Sequence, residues 1–323
     1  MCTAVSFRTK DHYFGRNLDL DYTYQESVVI TPRNYSFRFL NDVTLTHHYA
    51  MIGIATIADG YPLYYDATNE FGLSMAGLNF PGNAKYLSAR DNMDNLSPFE
   101  FIPWVLCQCK TTCEAKVLVS KINLTDTPFN EEFGITPLHW IISDREASIT
   151  VEPREDGLHI YENEIGILTN SPPFDYHIHN LSNYMNLTAS EPRNRFSNKV
   201  SIRPYSHGMG AIGLPGDLSS ASRFIRAAFT KLNSVTDDYE DESVSQFFHI
   251  LSAVEQTRGC TQVDENYEIT VYSSCCNTDK GIYYYTTYEN RQISAVKLHS
   301  ENLNDTRLYS FPLQNKQQIK WIN

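Results

Sequence analysis

What this chain lacks narrows its functions quickly. It is short of positive charge, with 26 Lys and Arg against 38 Asp and Glu, a formal net charge of −12. A general nucleic-acid binder needs a basic surface to displace counterions, so that class is not expected. Long apolar runs are absent too: no stretch approaches the roughly 18 residues of a transmembrane helix, and no membrane association is expected. The opening segment MCTAVSFRTKDHYFGRN has no basic region followed by an apolar one, so no secretory signal is expected. There is no P-loop, no G-x-S-x-G and no H-E-x-x-H. One literal G-x-G-x-x-G occurs, Gly208 to Gly213, but no apolar strand precedes it and Leu214-Pro215-Gly216 blocks a helix start. It reads as a loop that needs glycine conformations, not as a dinucleotide site. Glycine is otherwise scarce, at 15 residues, and neither a fixed-period repeat nor a low-complexity linker divides the chain. We therefore expect one domain over residues 1–323.

What is present is a folded, sheet-rich composition: 41% apolar, 20% charged and 13% aromatic residues, including 21 Tyr. The seven cysteines, Cys2, Cys107, Cys109, Cys113, Cys260, Cys275 and Cys276, are odd in number. The chain is also long for a disulfide-stapled domain, which fits a reducing cytoplasm. Cys107 and Cys109 would face different sides of a helix, so with Cys113 they read as small structural thiols rather than metal ligands. His47-His48 and His177-x-His179 lack a second cluster at ligand spacing. No metal and no cofactor are expected.

Alternation predicts a first hairpin, residues 2–8 returning over His12–Asn17. Further strands are expected at Ser27–Thr31, Met51–Ile57, Leu63–Ala67 and Leu73–Asn79. Later strands are expected at Leu138–Ser143, Ser148–Glu152, Leu158–Tyr161, Ile165–Thr169, Glu268–Cys275, Ile282–Tyr288 and Gln292–Leu298. Helical spacing predicts helices near Pro98–Cys109, Cys113–Ile122, Phe174–Met185, Ser220–Leu232 and Glu242–Gln256. Asp237–Glu242 reads as an acidic surface loop. Strands come in antiparallel runs and helices in pairs, which disfavours a doubly wound parallel sheet. Two stacked sheets with helices outside fit best.

The residue with the most chemistry in it is the second. Methionine followed by a small residue is readily trimmed, which would leave Cys2 with a free α-amino group beside its thiol. The returning strand brings Arg16, Asn17 and Asp19 opposite. An arginine favours a thiolate, whose free thiol titrates near about 8.5. A carboxylate can hold an α-amine, which titrates near about 8 and suits a general base. One residue would then supply nucleophile and base. On residues alone, Arg16 and Asp19 read equally well as an ordinary surface ion pair.

The sequence resembles the choloylglycine hydrolase family of N-terminal-nucleophile hydrolases, which holds bile salt hydrolases and penicillin V acylases. The blocks that carry the resemblance are Met1-Cys-Thr, Phe14-Gly-Arg-Asn-Leu-Asp19, Ala76-Gly-Leu-Asn-Phe-Pro81, Leu138-His-Trp-Ile-Ile-Ser-Asp144, Leu168-Thr-Asn-Ser-Pro172, Gly213-Leu-Pro-Gly-Asp217, Ser220-Ala-Ser-Arg-Phe224 and Gly281-Ile-Tyr-Tyr-Tyr285. It spans nearly the whole chain. The fold it implies is an α+β four-layer αββα sandwich of two mostly antiparallel sheets. The roles it implies are Cys2 as nucleophile and base, with Arg16 and Asp19 as argued. Asn170 would aim its amide at the developing oxyanion, Asn79 would sit beside the same oxygen, and Arg223 would supply positive charge. The hairpin between Cys2 and Arg16 looks slightly shorter than in relatives.

The reaction implied is hydrolysis of a secondary amide. Relatives acting on bile salts tend to carry Asn at position 79, and penicillin V acylases Tyr, so Asn79 points to glycine- or taurine-conjugated bile salts. Penicillin V or N-acyl-homoserine lactones are the alternatives, and a catalytically lost binding protein is a further one. A steroid needs a wide apolar pocket; Leu18, Leu20, Ile57, Tyr65, Phe80, Ile135 and Leu138 are candidate walls. The resemblance also implies a homotetramer. An exposed, reactive thiol at Cys2 would be sensitive to oxidation.

Overall fold

The computed structural model describes all 323 residues, Met1–Asn323. The strands of its two large sheets are, in chain order, β1 (Cys2–Arg8), β2 (His12–Leu20), β3 (Ser27–Thr31), β4 (Met51–Ala58), β5 (Tyr61–Asn69), β6 (Ser74–Asn79), β7 (Leu138–Ser143), β8 (Ser148–Arg154), β9 (Gly157–Glu162), β10 (Ile167–Leu168), β11 (Ile269–Asn277), β12 (Ile282–Thr287), β13 (Ser294–Lys297) and β14 (Tyr309–Pro312). Five α-helices accompany them: α1 (Phe101–Gln108), α2 (Thr112–Val119), α3 (Phe174–Leu181), α4 (Ser220–Asn233) and α5 (Glu240–Ser252).

One sheet has six strands in the order β10-β1-β2-β11-β12-β13, the other eight in the order β9-β8-β7-β6-β5-β4-β3-β14. Every pairing within these two sheets is antiparallel. The middle strands are buried on both faces, and their side chains alternate between two cores. Ile52, Ile54, Ala76, Leu78 and Ile141 point inward and join Val5, Phe14 and the α4–α5 residues Phe224, Phe247 and Leu251. Their neighbours Met51, Met75, Trp140 and Ile142 point outward and meet Phe101, Val105 and Leu106 of α1 and Val119 of α2. Helices α3, α4 and α5 cover the six-stranded sheet and α1 and α2 the eight-stranded one, giving the expected αββα sandwich.

Helix ends follow local chemistry. Thr111 caps α2 by accepting the Glu114 N–H at 3.2 Å, and Ser219 caps α4 by accepting that of Ser222 at 3.4 Å. The expected helix from Pro98 divides in two: Pro98–Glu100 is a 3-10 turn closed by a Ser97–Glu100 capping box, and the α-helix starts at Phe101. The helix expected to reach Met185 likewise tightens to a 3-10 turn over Ser182–Tyr184. The acidic run corrects a further expectation. Glu240, Asp241 and Glu242 are not loop but the first turn of α5, where carboxylates complement the positive end of the helix dipole. Edge strand β14 was not foreseen; Phe311 and Pro312 pair with Val28 and Ser27 from the other end of the chain. The Gly208–Gly213 motif lies in a loop, and both glycines hold positive φ, +81° and +101°. No helix is long and apolar enough to cross a membrane.

Candidate active site

Cys2 opens β1, second from the edge of the six-stranded sheet, opposite Leu18, with Thr3 opposite Asn17 and Ala4 opposite Arg16. The hairpin register is regular, so the short turn leaves Arg16 and Asp19 where the sequence placed them. Residue 1 continues the ladder: its amine donates to Asp19 O at 2.7 Å, and the Asp19 N–H donates to Met1 O at 2.9 Å. The Met1 ammonium also pairs with Glu268. Burial pulls this amino group below its ordinary value of 8.0. With Met1 in place Cys2 is only 3% exposed, which corrects the expectation of an exposed thiol; Cys113 and Cys260 are the exposed ones. The Cys2 N–H donates to Asn170 Oδ1 at 2.8 Å.

Two wholly buried arginines flank the cysteine. Arg16 Nη1 donates to Tyr65 O at 3.0 Å and Gly77 O at 2.6 Å, while Nη2 has no partner. Burial disfavours its charge, but the ionisable neighbours Cys2, Tyr272, Asp66 and Asp19 more than offset this and hold its basicity up. Asp66 is buried as well and accepts from Tyr272 OH at 2.7 Å and from Tyr283 OH. Glycine precedes Arg16 for a steric reason: a Cβ at Gly15 would lie 1.9 Å from Ser274 O of neighbouring β11. Arg223, from the first turn of α4, donates through Nη1 to Cys2 O and to Thr3 Oγ1 at 2.6 Å, and through Nη2 to Asn170 Oδ1 at 2.7 Å. Burial lowers its basicity, opposed by Asp19 and Cys2.

Asp19 Oδ1 accepts from Thr270 at 2.6 Å; Oδ2 is buried without a partner. Burial raises this carboxyl, against the pull of Arg223 and the amino terminus. Asn170 Nδ2 donates to Asn79 O at 2.7 Å, leaving its second amide proton for another acceptor. Asn79 Oδ1 is buried and unpartnered. The structure thus gathers the five into one buried neighbourhood: Cys2, Asn170 and Arg223 are hydrogen-bonded to one another, Arg16 and Asp19 stand beside them on β2, and Asn79 lies on the border. Three buried polar atoms in it remain unsatisfied. Such atoms are uncommon in a folded interior and mark a place built to meet something else.

The candidate walls divide. Tyr65, Ile135 and Leu138 line a pocket with Tyr24, Phe99, Phe129 and Phe133. It abuts the cluster, because Tyr65 and Gly77, both in its lining, are the residues whose carbonyls hold Arg16. Leu138 also sits opposite Asn79 across β7 and β6. Ile57 lines an adjoining hollow that shares Tyr24, Glu132 and Phe133. Leu18 and Phe80 are corrections. Leu18 is buried in the core between the sheets, and Phe80 is buried in a stack on His139 at 4.1 Å. Leu20 packs half-buried against the same core and lines neither hollow. Sequence reasoning missed Phe129 and Phe133. Their signal was two phenylalanines in a polar loop, Thr125–Gly134, with no strand or helix to bury them.

Residues 2–311 match the model of the linear amide C–N hydrolases, choloylglycine hydrolase family. The chain is 51% identical over its whole length, and the whole length of the relative, to a protein of Lactiplantibacillus plantarum named bile salt hydrolase/transferase. It superposes over 100% of both chains on a variant of the conjugated bile acid hydrolase from Clostridium perfringens, with TM-score 0.92 and 38% identity. Penicillin V acylase from Agrobacterium tumefaciens shares the fold, with TM-score 0.73 at 18% identity over 96% of this chain and 90% of that one.

Proposed function

Because the chain belongs to the choloylglycine hydrolase family of linear amide C–N hydrolases, we propose that it cleaves the amide bond of glycine- or taurine-conjugated bile acids with Cys2 as nucleophile. The observation that carries this is the cluster around Cys2, whose unpaired atoms on Arg16, Asp19 and Asn79 stand beside an apolar pocket.

The chemistry requires that Met1 be removed, since an acylated Cys2 nitrogen cannot act as a base. The freed amine takes the thiol proton, and Asp19, through its unpartnered Oδ2, holds that amine in place. The sulfur attacks the amide carbonyl while Asn79 and Asn170 sit against the oxyanion and Arg223 and Arg16 lend positive charge. The amine passes its proton to the departing glycine or taurine nitrogen, and water then clears the thioester. The steroid occupies the pocket of Tyr65, Ile135 and Leu138, and Asn79 at its edge supports a bile salt over penicillin V.

Relative rates on glycocholate, taurocholate and penicillin V test the reading, and a clear preference for penicillin V would overturn it. Intact mass reads whether residue 1 is gone. Cys2→Ala should lose turnover on every amide while keeping its melting temperature near that of the parent; turnover close to the parent would remove Cys2 from the mechanism. We also assign a homotetramer. Its support is the arm between α3 and α4, where Met185 (83%), Phe196 (87%) and Tyr205 (85%) stand exposed. Light scattering at the mass of one chain would refute it. A cytoplasmic site of action is supported by seven unpaired cysteines. Disulfides mapped in protein isolated from its source would count against it.

A further inference from the structure

Behind the cluster lies a buried histidine–glutamate pair that no step above uses. His139 follows Leu138 on β7 and is wholly buried. Its Nδ1 is 3.1 Å from Glu152 Oε1, and its Nε2 is 2.9 Å from Thr169 O. A carbonyl oxygen can only accept, so Nε2 donates. Glu152, on β8, is also wholly buried. Its Oε1 accepts the Phe174 N–H at 2.9 Å, and its Oε2 accepts from Arg154 Nη2 at 2.7 Å. Every acceptor and donor of the pair is met.

Burying an imidazole and a carboxylate is costly, and an apolar pair of the same volume is often at least as stable. Stability therefore gives no reason for them, but their contacts do. The edge of the His139 ring holds Thr169, the residue before Asn170. Its face holds Phe80, the residue after Asn79, in a stack at 4.1 Å and 7°. The two asparagines are in turn joined by Asn170 Nδ2 to Asn79 O at 2.7 Å. One ring thus holds the Thr169 carbonyl at its edge and the Phe80 side chain on its face, the neighbours of the two asparagines, while Glu152 fixes the ring's rotation.

We infer that His139, oriented by Glu152, is a positioning residue that sets the spacing of Asn79 and Asn170 and so tunes stabilisation of the tetrahedral intermediate in amide hydrolysis. This rests on the reading that Asn79 and Asn170 flank the oxyanion. Acting through geometry alone, His139 affects the step in which negative charge develops on oxygen. It leaves the nucleophilicity of Cys2 and the apolar pocket as they are.

The test uses the mature enzyme and His139→Phe, which keeps a ring against Phe80 but loses both hydrogen bonds. On glycocholate we expect kcat to fall about 10- to 100-fold, the range a displacement of about 1 Å can produce, with KM within about threefold of the parent. Alkylation of Cys2 by iodoacetamide, which forms no oxyanion, should keep its rate within about twofold. It is followed on the Cys2 peptide by mass spectrometry, because Cys113 and Cys260 are exposed. His139→Gln retains a donor and should recover part of the kcat; if His139→Phe does not fold, His139→Gln compared with the parent decides by the same two readouts. An unchanged kcat overturns the inference, and so does a loss of alkylation rate in step with kcat, which would mean general damage to the site. Asn79→Ala separates the two levels. If it leaves kcat unchanged, the oxyanion reading fails and the inference with it; if it lowers kcat while His139→Phe does not, the positioning role alone fails.

Discussion

The β1–β2 hairpin carries a buried polar cluster at each end, and the two ends are built to different rules. At the turn end, Ser6 Oγ lies 2.9 Å from His12 Nε2, and His12 Nδ1 lies 2.9 Å from Thr278 Oγ1. Ser143 reaches Ser6 and Ser148 at 2.8 Å each. Each of these side chains has its partners. At the Cys2 end Arg16 and Asp19 are just as buried and Asn79, facing them from β6, is half-buried, yet Arg16 Nη2, Asp19 Oδ2 and Asn79 Oδ1 have none. A saturated network holds strands together; an unsaturated one keeps binding capacity in reserve, at a cost in stability. The difference separates scaffold from site on one pair of strands.

Mutations and pH can break that comparison. The largest effect belongs to the unsaturated end. Asn79→Ala should lower kcat on glycocholate about 100- to 1000-fold, the usual worth of an oxyanion donor, while urea unfolding stays near that of the parent. A similar loss from a substitution at the turn end would erase the distinction.

Acid should act at the saturated end. Burial pushes His12 from 6.5 down to about 4. Between those values the unfolded chain binds more proton than the folded one. Stability from this residue is therefore full above about pH 6.5 and is lost as the pH falls toward 4, by about 3 kcal/mol. Urea midpoints at pH 7 and pH 4.5 should differ accordingly, and His12→Asn should shrink the gap; an undiminished gap would place the acid sensitivity elsewhere. The smallest effect is that of Ser6→Ala, which should cost about 1–3 kcal/mol of stability by removing the near partner of His12 Nε2 and leave kcat unchanged at pH 7.

Much of this was legible in the sequence, for reasons that differ by residue. Strand β3 matches its expected span, Ser27–Thr31, because alternation and flanking polar residues fix both ends. Cys2, Arg16 and Asp19 could be brought together from the hairpin alone, since antiparallel pairing is local. Asn170 and Arg223 could not; they arrive from just past β10 and from α4, and only the family resemblance placed them. Leu18 and Phe80 were misread because an apolar residue beside a site motif can face either the pocket or the core, and composition does not say which. Glu268 and Thr270, which bond the Met1 amine and Asp19, lie some 250 residues away in β11 or just before it, beyond any spacing rule.

The depth of the two arginines bears on how an anionic substrate is captured. Both guanidinium groups are sealed beneath the surface, and the approaching molecule meets the rest of a chain whose formal net charge is −12. Attraction is thus felt only on contact and repulsion during the approach. Dissolved ions weaken the second far more than the first, since the screening length is about 8 Å near physiological ionic strength. Raising sodium chloride from about 50 to about 300 mM should therefore increase kcat/KM for a conjugated bile salt, the reverse of electrostatically steered encounter.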